Sequence, residues 1–331
     1  GCTPFWGGAL PKINEDPHAA RRDAGAGRLA GLGFVNEGLG YNTVVYDLMY
    51  EMAWRSEPVD LDQWIQDYAH NRYGRPDDDG QRAWQILKDT VYTAPFRTQS
   101  AVTSTPTLKA ARVIPYNNSD LAAAWEALLK ASNDLGQADT YRFDLVNLAR
   151  QVLSNYANVL HGELIEAAKA KDADAFREVS GRFLRLIEDM DELLATRKEF
   201  LLGSWLGDAR RWGTTDAERA RFEWNARRVL TLWGQGPAID DYARKEWSGM
   251  LAGYYLKRWQ QYLDEVAKSL GGNETFDEEK FQKRLRQWMI DWSDRRDDYP
   301  AQPQGDSIEV ARRLWARYGE QLGAETIQAG D

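Results

Sequence analysis

Cysteine is nearly missing from this 331-residue chain: Cys2 stands alone, so no disulfide can close within it and the redox compartment stays open. Histidine is scarce too. His18, His70 and His161 are far apart, and none has a partner at metal-ligand spacing. No apolar run approaches the length of a membrane span. No basic block stands out either: 42 Lys and Arg are spread among 51 Asp and Glu, for a net charge of −9. That balance argues against a nucleic-acid footprint and fits poorly with an anionic membrane surface. P-loop, dinucleotide and nucleophile-elbow motifs are lacking, as is a repeat of fixed period. No leader peptide is visible, but the chain starts at Gly1 rather than Met. The expectation is a trimmed or incomplete N-terminus, so that absence carries no weight.

What is present is a globular composition, 43% hydrophobic and 28% charged, enough for one large domain or two ordinary ones. Fourteen Trp and fifteen Tyr are many for this length. For any single indole the ordinary reading is a large core anchor. The functional reading is sugar binding, because an aromatic face stacks on the C–H face of a pyranose while its polar edge hydrogen-bonds.

Along the chain, Arg28–Val35 is short, apolar and glycine-interrupted, which predicts a buried strand. It ends in Asn36-Glu37-Gly38, and a helix follows with Val44, Val45, Leu48, Met49 and Met52 on one face and Asn42 as N-cap. Glu37 is thereby a carboxylate at the C-terminal tip of a strand, where barrel enzymes carry catalytic groups. The competing reading is a glutamate that merely complements the dipole of the next helix. Beyond Pro58 the pattern is helical. Asp60 and Gly74 bracket one helix, and Gln81–Tyr92 forms another. Residues 93–115 lack periodicity and predict a long surface loop. Helices resume at 119–131, 141–171, 173–196 and 200–211. Thr215 and Glu218 have capping-box spacing ahead of a helix bearing Phe222, Ala226, Leu230 and Trp233. Gly234–Pro237 breaks it. Long helices are expected at 240–270 and 276–294, an extended strap at 300–303, and a last helix at 306–318.

Several of these segments, in order, resemble the alpha-N-acetylglucosaminidase family, glycoside hydrolase family 89. They are Asn36-Glu37-Gly38 with Asn42 and Val44-Val45-Tyr46; Tyr68-Ala69-His70-Asn71-Arg72-Tyr73-Gly74; Phe200-Leu201-Leu202-Gly203-Ser204-Trp205; Leu230-Thr231-Leu232-Trp233-Gly234 with Ile239 and Asp241-Tyr242-Ala243; and Tyr299-Pro300-Ala301-Gln302-Pro303. The resemblance implies a mainly α chain: residues 1–55 as the last βα unit of a (β/α)8 catalytic barrel, and 56–331 as the all-helical C-terminal domain. A whole barrel takes about 250 residues, so most of it is expected to lie outside this chain.

The same resemblance implies retaining, exo-acting hydrolysis of terminal alpha-linked N-acetylglucosamine on a glycan, with no cofactor or metal. Retention uses two carboxyl groups, one as nucleophile and one as acid/base. Glu37 matches the nucleophile, and the acid/base belongs to an earlier barrel strand upstream of this chain. Trp233, Ile239, Tyr242 and Asn42 match substrate-binding positions. For Trp233, helical spacing alone favours a place in the core, and the resemblance points the other way. The implied setting is exported or lysosomal, and the implied protein partner is the remaining barrel. Two expectations follow: the chain alone is inactive, and the stripe Val44–Met52 is left exposed beside a poorly supported N-terminal segment. A non-catalytic helical carbohydrate-binding or scaffold module is the alternative. A complete helical-toroid glycanase or lyase would need evenly paired helices, which the irregular helix lengths oppose.

Overall fold

The computed structural model describes residues 7–33, 42–93, 100–234, 236, 239–272 and 275–324. The fold is mainly α. Its elements are α1 (Leu10–Arg22), α2 (Thr43–Met52), α3 (Leu61–Tyr73), α4 (Asp78–Asp89), α5 (Asn118–Lys130), a single turn α6 (Ser132–Leu135), α7 (Asp139–Ala170), α8 (Ala173–Ala195), α9 (Leu202–Arg211), α10 (Asp216–Leu230), α11 (Leu256–Gly271), α12 (Glu278–Asp294) and α13 (Ser307–Ala324). A π-helical turn, Leu251–Tyr255, leads into α11. Among the described residues there is no β-strand, only an isolated bridge between Leu201 and Ser248.

Helix ends follow local chemistry. The Asp60 carboxylate accepts from the N–H groups of Asp62 and Gln63, and Gly74 closes α3 in the left-handed region at φ 77°. Both halves of the Thr215–Glu218 capping box form at the start of α10. The strap beyond α12 packs where a side chain would not fit. A Cβ on Gly203 would lie 2.2 Å from the Pro300 carbonyl oxygen, and Ser204 Oγ donates to the Ala301 carbonyl.

The long α7 is the axis of the molecule and is buried nearly all round, against α5, α8 and α13. Leu145, Leu148, Val152 and Leu153 are fully buried. So is a polar stripe at three- and four-residue intervals: Asp144, Asn147, Gln151, Ser154, Asn158 and His161. Each polar group in a core needs a partner. Asp144 takes a two-pronged bond from Arg72 and one from the Tyr73 hydroxyl. Asn158 accepts from the Ala101 N–H, and His161 Nε2 lies 2.7 Å from the Thr107 carbonyl. Arg150, one step round the helix, pairs with Glu246, whose other oxygen accepts from Ser154 Oγ.

Four expectations change. The segment predicted as a surface loop at 93–115 is partly internal: Ser100–Ser104 are buried. Their carbonyls are taken by Trp259 Nε1 and the Arg258 guanidinium, which a reading of local periodicity does not see. The helix expected from Asp240 begins only at Leu251, because Asp241 and Arg244 adopt positive φ. Arg28–Gly33, read as the start of a buried strand, has no regular structure and leaves Leu29 and Leu32 exposed. The stripe Val44, Val45, Leu48 and Met52 is not exposed but joins the hydrophobic core and packs on α1. Thr43 Oγ1 bonded to the Tyr68 hydroxyl, and Trp64 Nε1 donating to Glu51, tie α2 to α3.

Candidate functional site

Glu37 lies outside the described residues. Asn42, expected to cap α2 with its side chain, stands at the N-cap position, but its Oδ1 instead accepts the Gly7 N–H at 3.2 Å. This bond joins the start of α2 to the segment before α1.

The structure brings the other three candidates together. Trp233 lies three residues past the end of α10, and its N–H returns to the Arg228 carbonyl at 2.7 Å. At φ 52° its backbone is left-handed, which turns the indole off the helix axis. Ala226 and Leu230 are buried as the core stripe requires, whereas Phe222 is exposed and Trp233 is 49% exposed. Trp233 therefore leaves the stripe to which helical spacing assigned it. Tyr242 is 38% exposed, and its ring centroid lies 5.4 Å from that of Trp233 with the planes inclined at 55°. Ile239 is equally exposed, and its Cδ1 approaches within 3.3 Å of where a Cβ on Gly234 would stand. The result is an aromatic corner with an aliphatic edge, a surface suited to the apolar face of a sugar ring. None of the three lines the open clefts beside α1 or between α8 and α13.

Beneath this corner is a layer of charge. Asp241 is buried and receives both terminal nitrogens of Arg258, at 2.6 and 2.8 Å. The Tyr254 hydroxyl and Thr105 Oγ1 also donate to it, at 3.1 and 3.2 Å. Burial opposes charge on Arg258, but the adjoining Asp241 carboxylate together with the Tyr254 and Tyr255 side chains outweighs it, so the pKa of Arg258 is raised and the guanidinium stays charged. Asp240 pairs with Arg286 at 3.1 Å. Burial pushes its carboxyl pKa up against that partner, and its Oδ1 is buried without a hydrogen bond. In the sequence Asp241 stands only within a motif, Asp240 only at an expected helix start, and Arg258 carries no signal of its own. Two adjacent acids between Ile239 and Tyr242, with an arginine 17 residues on, were the available signal.

Among the described residues no group of His, Cys, Asp and Glu is arranged to hold a metal ion. No helix among them is long and apolar enough to cross a membrane.

The fold as a whole is similar to that of known glycoside hydrolases. A family 89 glycoside hydrolase from Clostridium perfringens, solved with 2-acetamido-1,2-dideoxynojirmycin, matches with a TM-score of 0.87 at 26% identity, over 95% of this chain and 38% of that one. A variant of the Clostridium perfringens enzyme with two glutamates replaced by glutamine, in complex with its substrate GlcNAc-alpha-1,4-galactose, matches with a TM-score of 0.86 at 25% identity, over 96% of this chain and 38% of that one. Human alpha-N-acetylglucosaminidase is 34% identical over 318 residues, which is 94% of this chain and 43% of the human protein. The alpha-N-acetylglucosaminidase (NAGLU) C-terminal domain matches residues 64–317, and the corresponding tim-barrel domain matches residues 1–56. The chain belongs to the alpha-N-acetylglucosaminidase family. It spans less than half the length of these relatives.

Proposed function

We propose that this chain supplies the helical wall and the nucleophile of a retaining, exo-acting alpha-N-acetylglucosaminidase. Residues 1–55 act as the end of the catalytic barrel and 56–331 as the helical domain. The observation that carries this reading is the half-exposed Trp233–Tyr242 corner on a left-handed turn, in a chain of this family. The substrate is a glycan ending in alpha-linked GlcNAc, the chemistry named for the bacterial relative's bound substrate.

Glu37 attacks the anomeric carbon and forms a glycosyl ester. A second carboxyl protonates the departing oxygen and then takes a proton from the incoming water. That acid/base belongs to the portion of the relatives' length that this chain does not span. The indole of Trp233 stacks against the sugar, the Tyr242 hydroxyl hydrogen-bonds one of its oxygens, and Ile239 excludes water from the apolar face. Asn42, at the head of α2, is the fourth substrate-binding position.

The test has three parts. The 331-residue chain by itself is expected to release no aryl alcohol from an aryl alpha-GlcNAc glycoside; measurable turnover would mean that the acid/base has been misplaced. On a complete barrel, Glu37→Gln is expected to lower kcat by roughly 10⁴-fold or more, the order seen when a nucleophile is removed. An unchanged kcat would refute the role of Glu37. Binding of free GlcNAc that survives Glu37→Gln but disappears in Trp233→Ala, with no turnover on the complete barrel, would mark the chain as a carbohydrate-binding module instead.

A further inference from the structure

We propose that Asp241 and Arg258 are positioning residues for the Trp233–Tyr242 pair, their buried ion pair holding the 231–242 turn in the backbone geometry that presents both rings to a sugar. The inference rests on the reading of that pair as a sugar-contacting surface.

The turn is locally unfavourable. Of the non-glycine residues described at positive φ, Trp233 and Asp241 fall within this turn, at 52° and 59°, and Arg244 follows just after it, at 44°. The fourth, Lys171, merely ends α7. Side chains with a Cβ persist in that region only where their surroundings over-determine it. Here the surroundings do so. The Asp241 N–H meets the Thr231 carbonyl at 2.6 Å, so the two ends of the excursion are brought together. The Asp241 side chain then takes four donors, two from Arg258 and one each from Tyr254 and Thr105. Arg258 is fully buried between the Tyr254 and Tyr255 rings, 4.7 and 5.6 Å from their centroids, and it also donates to the Ser104 carbonyl. The planar guanidinium fork fixes the direction of the carboxylate as well as its distance. Tyr242 is the next residue, so the orientation of Asp241 fixes where its ring emerges. Neither Asp241 nor Arg258 reaches the surface, so both act through the aromatic pair and not on a ligand.

The test uses the 331-residue chain labelled with 5-fluorotryptophan and followed by fluorine NMR. The Trp233 resonance is assigned by its loss in Trp233→Phe. That of Trp315, which packs on Trp125 in another part of the molecule, is assigned by its loss in Trp315→Phe and serves as the reference. Arg258→Lys keeps the charge and removes the fork. Tyr254→Phe keeps the shape and removes one donor to Asp241. Both are expected to shift or broaden the Trp233 resonance while Trp315 stays in place, with the larger change in Arg258→Lys. The GlcNAc-induced shift of Trp233 is expected to shrink in parallel. A Trp233 signal unmoved in the folded variants would overturn the proposal, and so would Trp233 and Trp315 moving together. If Arg258→Lys does not fold, Tyr254→Phe decides by the same criterion. Absence of any GlcNAc-induced shift in the unmodified chain would count against the sugar-contacting reading alone, since the comparison of resonances without sugar still decides the positioning role.

Discussion

The axis α7 and the turn from Thr231 to Met250 solve opposite problems with similar side chains. In α7 the backbone satisfies itself through its own ladder, so its buried polar stripe is free to serve others: Arg72 through Asp144, the 100–107 segment through Asn158 and His161, and Glu246 through Arg150 and Ser154. The described residues of the turn form no such ladder. The turn borrows order from elsewhere, through Asp241 to Arg258 and through Glu246 to Arg150. The difference teaches where charge belongs in a core. A regular element tolerates buried polar groups and supplies them as anchors, whereas an irregular one that must expose two aromatic rings depends on those anchors.

The sharpest way to break the comparison is to cut an anchor at its regular end. Arg150→Met leaves the Glu246 carboxyl buried without its ion-pair partner, with Ser154 Oγ still donating to it. It is expected to cost about 3–5 kcal/mol of unfolding free energy, read by urea denaturation. Arg150→Met combined with Glu246→Leu is expected to recover most of that loss, because no lone charge remains. A single variant as stable as the parent would show that water already reaches the pair.

A smaller effect sharpens the contrast between a side chain that packs and one that is presented. Leu148→Ala, in the centre of α7, is expected to lose roughly 2–5 kcal/mol to lost burial and an unfilled cavity. Trp233→Ala should lose much less stability, yet abolish GlcNAc binding. Thermal midpoints and titration calorimetry on the two variants check both halves. Similar destabilisation in the two would place Trp233 back in the core.

The smallest effect is a pH dependence. Burial holds the His161 pKa below the ordinary histidine value, against the support of its bond to the Thr107 carbonyl, while Arg112 lowers it further. The folded state therefore keeps His161 neutral where the unfolded chain takes up a proton. Its contribution to stability is complete above the unfolded pKa, about 6.5, and is lost as the pH falls through that value toward the folded one. The thermal midpoint of the parent is expected to fall on this acid side more steeply than that of His161→Gln. Parallel curves would show that His161 protonates freely in place.

Much of the fold was legible because its signals are local. Asp60 and Gly74 mark α3, and Thr215 with Glu218 opens α10, since each cap forms within a few residues of the helix end it serves. The amphipathic face of α2 was legible as well, though its partner was not. The periodicity says that Val44, Val45, Leu48 and Met52 need cover, and only the packing says that α1 provides it. Residues 100–104 looked like surface because their cover comes from Arg258 and Trp259, more than 150 residues away. In the candidate site the motif carried the names Trp233, Ile239 and Tyr242, while spacing alone put Trp233 inside. Its left-handed backbone, which no periodicity encodes, brings it out.

The sequence by itself determined the helical class, the caps of α3 and α10, the aromatic wealth and the ordered motifs that place the chain in its family, because each is written within a short stretch of chain. The tertiary structure alone decided which buried charges meet and therefore how the turn after α10 is held. Asp241 and Arg258 are 17 residues apart, Arg150 and Glu246 are 96 apart, and Arg258 and Ser104 are 154 apart. A charge leaves water only when a partner already waits for it in the folded chain, and no local pattern says which partner that will be.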